Sequence, residues 1–284
     1  MACDADVFNH GVAVITGAAS GIGAGLARRA GALGMNVIAT DINADGAATT
    51  AAAIVAAGGK AEAEQVDVAI PDELDRLAER VFDRHGAVRL LINNAGIETV
   101  GNTWEVPAAR WEATLNINLH GVIHGVRAFV PHMIGSGKEA WIGNLSSVGA
   151  FGQMPGQTAY TVTKHAVQAF SECLYLEMEL KALPIHVSAI VPGMVRTAIF
   201  DAEAGFGEPE SATGHRRAMF DMMRAHGMDI DQACAVFLEQ MAQNRFWVHS
   251  DPAMAAQIIG ARVKFLQDQL PPIMPDLALA IAVD

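Results

Sequence analysis

The chain has 284 residues, 51% of them apolar and only 6% aromatic, with 27 glycines, which allows a large core and suits a layered α/β protein better than an all-β one. Its formal net charge of −12 argues against a nucleic acid or an anionic membrane held by bulk electrostatics. It does not exclude a small anion bound by backbone N–H groups.

In chain order, the β-branched run Val12–Thr16 predicts a buried strand, followed by a glycine-rich turn and a helix over Gly21–Leu33. A strand over Asn36–Asp41, an alanine-rich helix over 44–57 and a third strand over 63–68 come next. Pro71 opens a charged helix to His85, Leu90–Asn93 is a fourth strand, and 107–134 reads as one long helical stretch. A strand over 141–146, a helix over 156–180 and a strand over Ile185–Val191 lead to the stop at Pro192-Gly193. Residues 194–228, rich in Met and Phe, read as loop and short helices, followed by a helix over 231–242, a seventh strand over 245–249 and a last helix over 252–267. The alternation predicts a Rossmann-type doubly wound parallel sheet with helices on both faces, in a single domain over residues 1–284. The tail 271–284 is mostly apolar from Leu277 to Val283 and is expected to be either disordered or packed on a neighbouring subunit.

Cys3, Cys173 and Cys234 are far apart in sequence and form no C-x-x-C pair, so neither a disulfide framework nor a structural zinc is expected. The acidic residues 1–6 lack the pattern of a signal peptide, and no apolar run approaches the ~18–20 residues that span a bilayer. A reducing, cytoplasmic setting without a membrane partner is the expectation.

Residues 16–23, Thr-Gly-Ala-Ala-Ser-Gly-Ile-Gly, lie between the first strand and its helix. Gly17, Gly21 and Gly23 permit tight turning and close backbone approach, and the helix N-terminus beyond them favours a pyrophosphate. Asp41, eighteen residues beyond Gly23 at the end of the second strand, is spaced to bond both ribose hydroxyls. A 2′-phosphate would bring roughly two negative charges against it, and no Lys or Arg lies in 18–20 or directly after Asp41, so NAD is favoured over NADP.

Tyr160 and Lys164 are four residues apart on one helical face, with Ser147 thirteen residues before the tyrosine. A free tyrosine, with a pKa near ~10, is a poor base; bringing it to ~7 needs roughly 4 kcal/mol of differential stabilisation. A lysine ammonium and a cationic cofactor ring are the candidates to supply it, while Ser147 donates to the oxygen on which charge changes.

These motifs together resemble the short-chain dehydrogenase/reductase family, in its shorter single-domain branch, over about residues 12–197. The resemblance rests on T-G-x-x-x-G-x-G at 16–23, Asp67-Val68, Asn93-Asn94-Ala95-Gly96, Asn118, Ser147 with Tyr160 and Lys164, and Pro192-Gly193-Met194-Val195-Arg196-Thr197. It implies Tyr160 as general acid/base, Lys164 lowering its pKa and binding the nicotinamide ribose, and Ser147 polarising the substrate oxygen. Asn118 is implied to order a water linking Lys164 to solvent. Gly17, Ser20, Gly21, Ile22, Gly23, Asp41, Asp67, Val68, Asn94, Ala95, Gly96, Tyr160, Lys164, Pro192, Gly193, Val195 and Thr197 are the implied cofactor residues. The family also implies a homodimer or homotetramer, with 107–134 and 156–180 as interface elements, and a mobile substrate cover over 194–228. No metal is needed, because Ser147 and Tyr160 serve the oxyanion.

His120 and His124 are spaced i,i+4 like a ligand pair, but no third ligand accompanies them, and His165 reads as structural. The Met/Phe-rich stretch suggests a hydrophobic alcohol or ketone substrate, with Met154, Met194 and Phe200 the chosen lining residues and Phe206 and Trp104 further candidates. Arg216-Arg217 reads as a solvated pair rather than an anchor for a substrate anion. The expected activity is hydride transfer between NAD and a secondary alcohol or ketone. Two alternatives stay open, a sugar-nucleotide epimerase or dehydratase and a non-catalytic NAD-binding regulatory protein.

Overall fold

The computed structural model describes residues 3–269 and 271–282. Seven strands, β1 (Val12–Thr16), β2 (Asn36–Asp41), β3 (Lys60–Gln65), β4 (Leu90–Asn93), β5 (Ala140–Leu145), β6 (Ile185–Val191) and β7 (Trp247–His249), form one parallel sheet in the order β3-β2-β1-β4-β5-β6-β7. The helices are α1 (Asp4–Val7), α2 (Gly21–Leu33), α3 (Ala44–Ala56), α4 (Pro71–His85), α5 (Ala108–Leu115), α6 (Gly121–Ser136), α7 (Thr158–Leu180), α8 (Thr213–His226), α9 (Ile230–Ala242), α10 (Pro252–Asp268) and α11 (Asp276–Ala282).

Strand β1 has both faces covered, and its alternation divides the core. Ala13 and Ile15 join Leu26, Ala30, Phe237 and Met241 on the α2/α9 face. Val12 and Val14 join Leu77, Phe129, Leu174 and Met178 on the α4/α6/α7 face. The chain lays β2 and β3 to one side of β1 and then crosses to β4 on the other. The C-terminal ends of β1 and β4 therefore open a crevice at the point where strand order reverses, the usual ligand position in such sheets.

The structure departs from the sequence reading in identifiable places. β3 runs over Lys60–Gln65 instead of 63–68, because it is an edge strand whose Glu62 and Glu64 pair with Arg84 and Arg80 of α4; Val66 and Val68, which prompted the later placement, are buried just beyond it. The long stretch 107–134 is helical as expected, running without a break from Ala108, but it contains a π-helical turn, Asn116–His120, between α5 and α6. Helix α7 starts at Thr158 because Gly156, with φ of +80°, stands outside it. Residues 194–228 hold three short 3₁₀ turns and one full helix, α8. Residues Asp276–Ala282 of the tail form α11, which touches α8; Val283 and Asp284 of the expected tail, like Met1 and Ala2 at the start, lie outside the described residues. Among the described residues no helix is long and apolar enough to cross a membrane.

Candidate active site

The first turn of α2 faces the end of β4. A Cβ added to Gly17, whose φ is +68°, would stand 2.7 Å from Asn94 Nδ2, and one on Gly23 would meet the Gly17 carbonyl at 2.1 Å. Only glycine allows this approach, and Asn94 fixes it: its Nδ2 donates to the carbonyls of Thr16 at 2.8 Å and Gly17 at 3.2 Å. Thr16 Oγ1 accepts in turn from the backbone N–H groups of Asn94 and Ala95, at 3.0 and 3.1 Å. Ser20, the N-cap of α2, makes no side-chain capping bond, so the leading N–H groups of a thirteen-residue helix keep their capacity for an anion. Thr197 stands opposite, its side chain 3.5 Å from a Cβ built on Gly21.

Asp41 is aimed by two backbone donors, Ala19 N–H at 2.9 Å on Oδ2 and Asn43 N–H at 2.9 Å on Oδ1, leaving further lone pairs on each oxygen. Beyond it lies a cleft of about 500 Å³ lined by Ile42, Gln65, Asp67, Ile70, Glu73, Arg76 and Arg80. A glycine cradle with open N–H groups, an aimed carboxylate and this cleft fit the pyrophosphate, ribose and base of a dinucleotide. Ile22 packs against the α2/α9 core, and Val68 is buried, its carbonyl bonded to His124 Nδ1 at 3.1 Å. Val195 is buried in the core and bridges to Met228. Pro192 and Gly193 are tied into the site by Val148 N–H on the Pro192 carbonyl at 3.1 Å and by Gly193 N–H on Ser250 Oγ at 2.9 Å.

At the other end of the crevice, Ser147 follows β5 and caps a short 3₁₀ turn, its Oγ accepting from Gly149 N–H at 3.0 Å. Lys164 Nζ donates to the Leu145 carbonyl at 2.8 Å and lies 5.5 Å from the Tyr160 ring centre. Ser146 instead turns inward toward the Lys164 carbonyl, at 3.4 Å. Asn118 sits in the π turn with its amide fully engaged. Its Oδ1 accepts from Ile97 N–H at 2.8 Å; its Nδ2 donates to the Ile97 carbonyl at 2.8 Å and to Thr163 Oγ1 at 3.2 Å. Thr163 Oγ1 donates to the Tyr160 carbonyl at 2.7 Å, so Asn118 braces the first turns of α7.

The electrostatic balance differs from the sequence expectation. Burial pushes the Tyr160 hydroxyl well above its ordinary value, the charge of Glu98 adds to this, and a hydrogen bond with Ser147 only partly opposes it. Burial brings Lys164 down to about 8, with Glu98 acting the other way. The chain's own groups thus hold the tyrosine protonated, because desolvation of a tyrosinate outweighs what its neighbours return.

Three candidate substrate residues come together. Phe200, with Met154 and Met194 against it, joins Val100, Met219 and Met223 in an apolar cluster separate from the two sheet cores. Trp104 and Phe206 do not join it; they are 81% and 87% exposed. Arg216 is no solvated residue: it is buried and grips Glu208 in a two-point ion pair, at 2.8 Å from Nε and 2.6 Å from Nη2, while Arg217 lies outside with Asp221. His120 and His124 bond separately to Asn116 and to the Val68 carbonyl. The sequence reading missed Glu98, Thr163 and the Arg216–Glu208 pair. An acid directly after Asn94-Ala95-Gly96-Ile97 was visible, but its burial was not.

The chain is similar to known proteins in sequence and fold. Residues 11–205 match the family described as short chain dehydrogenase. The chain is 35% identical over 228 residues to a protein named probable oxidoreductase EphD of Mycobacterium tuberculosis, covering 78% of this chain but only 38% of that longer protein. It is 32% identical over 243 residues to 1-deoxy-11-beta-hydroxypentalenate dehydrogenase of Streptomyces arenae, covering 84% and 82% of the two chains. A short chain dehydrogenase/reductase from Burkholderia phymatum, solved with NAD, superposes with a TM-score of 0.90 at 31% identity over 95% of this chain and 98% of that one. A metagenomic short-chain oxidoreductase, solved with NADP, gives a TM-score of 0.61 at 34% identity over 66% and 83%.

Proposed function

The chain belongs to the short-chain dehydrogenase/reductase family, and on that premise we propose that it is an NAD-dependent dehydrogenase acting on a secondary alcohol, or the matching ketone, of a hydrophobic molecule. The observation that carries this reading is the convergence of Ser147, Tyr160 and Lys164 at one end of the crevice, with Asn118 bracing α7. A bound nicotinamide dinucleotide supplies the hydride acceptor and, when oxidised, a positive ring charge. Ser147 and Tyr160 hold the substrate oxygen. Tyr160 takes its proton in the oxidising direction, and Lys164 stabilises the resulting tyrosinate and holds the ribose. Asn118, its amide bonded to Ile97 and Thr163, fixes α7 and orders a water that links Lys164 to solvent.

Asp41 supports NAD over NADP, because a 2′-phosphate would meet a carboxylate already aimed at the ribose position. Residues 194–228 serve as the substrate cover, with Met154, Met194 and Phe200 beneath it. A relative named as a dehydrogenase of 1-deoxy-11-beta-hydroxypentalenate supports an alcohol as the substrate. The reading includes a single-domain protein in a cytoplasmic setting, assembled as a homodimer or homotetramer.

The test is NADH formation over a panel of aliphatic, aromatic and steroid-like secondary alcohols. Turnover with at least one member is expected; no NADH from any of them would count against the reading. Asp41→Ala should narrow the preference for NAD over NADP by about tenfold, and an unchanged preference would refute the cofactor assignment.

A further inference from the structure

Glu98 is 3% exposed; the other buried acid among the described residues, Asp4, is paired with Arg29, and Glu98 has no such partner there. It lies two residues beyond Gly96, where an added Cβ would stand 3.7 Å from Lys164 Nζ. The segment that carries it is clamped. Ile97 is bonded at both its N–H and its carbonyl by the Asn118 amide, and the Glu98 carbonyl accepts from Arg110 Nη2 at 2.7 Å and Arg216 Nη2 at 3.5 Å. Val100 N–H donates to Glu208 Oε1 at 2.6 Å. Glu98 Oε1 takes the Thr99 N–H at 3.1 Å, and among the described residues no donor meets its other oxygen. The backbone around this carboxyl is thus held by four other elements, while the carboxyl itself takes a single donor.

The groups that face it are Tyr160 and Lys164 from α7, Arg110 from α5, Arg216 from α8, and Glu208 from the loop before α8. Glu98 sits on the segment that Asn118 ties, through Thr163, to the turn of α7 that carries Tyr160 and Lys164. We propose that Glu98 is a positioning residue of the active centre, acting through Tyr160: protonated, it lets the tyrosine release its proton, and ionised, it holds that proton in place. Burial pushes the Glu98 carboxyl up to about 8, despite the opposing Thr99 N–H and Arg216, so its charge changes within the working range of a dehydrogenase. Once ionised it adds a negative charge beside the position where tyrosinate must form, and the two protons leave as a coupled pair.

The inference rests on the reading of Tyr160 as general acid/base, and its test is independent of turnover. The chain has only two tyrosines, so the tyrosinate absorbance of Tyr160 is isolated by subtracting Tyr160→Phe. In Glu98→Gln, saturated with NAD and without substrate, Tyr160 should ionise earlier by about one pH unit than in wild type. The rising limb of NADH formation against pH should move in the same direction. An unchanged tyrosinate onset would overturn the proposal, as would an onset that moves to higher pH. If no alcohol yields NADH, the dehydrogenase reading fails on its own, and the absorbance comparison still decides the role of Glu98. Glu98→Leu, also uncharged, repeats the comparison should Glu98→Gln not fold; a purely structural Glu98 would lower the melting temperature in both and leave the onset where it was.

Discussion

The wall of the crevice built by β1, α2 and β4 is held by two short side chains bonded to the backbone at strand ends. Thr16 Oγ1 accepts from the N–H groups of Asn94 and Ala95, Asn94 Nδ2 donates to the carbonyls of Thr16 and Gly17, and glycines let the elements touch. The wall built by residues 194–228 is held by side chains: an apolar cluster of Phe200, Met219 and Met223, and one buried ion pair between Arg216 and Glu208. The first wall tolerates almost no change in shape. The second can repack, because its methionine side chains fill space without fixed geometry.

The comparison breaks first at Gly17. Gly17→Val forces a branched side chain onto a φ of +68° and into Asn94 and Ala95, and should cost about 3 kcal/mol of stability with loss of nucleotide binding. Thermal melting and NAD titration read both. A variant that melts and binds like wild type would show that this wall is softer than its contacts imply.

On the other wall, Arg216→Met removes the two-point partner of the buried Glu208, leaving it the Val100 N–H and the more distant Arg110, and should cost about 3 kcal/mol. Most of that falls on the cover, so proteolysis within 198–212 should quicken and KM should rise roughly tenfold, with kcat changed less. Equal losses in KM and in NAD affinity would mean that the two walls are not separable.

A smaller effect comes through pH. Glu98 is raised in the folded state from 4.5 to about 8, so the stability it contributes is fully present below 4.5 and is lost as pH rises through about 8. Lys164 is lowered from 10.5 to about 8, so its burial penalty is largest at low pH and fades above about 8. Melting temperature followed from pH 4.5 to 8 should therefore fall less in Glu98→Gln than in wild type. Least of all, Trp104→Ala and Phe206→Ala should change stability by no more than about 0.5 kcal/mol, since both side chains stand in solvent.

The first wall was legible in the sequence for a physical reason. Glycine spacing, a strand before it, a helix after it and Asp41 at the next strand end all follow from backbone requirements, and the structure brings Gly17, Gly23 and Asn94 together as those requirements dictate. Tyr160 and Lys164 were legible because helical periodicity alone sets their common face. The second wall was legible only as apolar. That Phe200 is covered and Phe206 is not, or that Arg216 is buried and Arg217 is not, depends on where α8 lands, which no local pattern records. The π turn at Asn118 escaped notice because its residues look helical and only the insertion of one side chain toward Ile97 reveals it. Edge strand β3 was displaced in the reading because its charged residues are paired across to α4 rather than solvated.

The central claim is that Tyr160 performs the proton transfer in an NAD-dependent oxidation, and Tyr160→Phe tests it with NADH formation and NAD binding measured on the same protein. Turnover should fall by ~10²–10⁴ with NAD binding close to wild type; turnover above about a tenth of wild type, well outside that range, would refute the role of Tyr160.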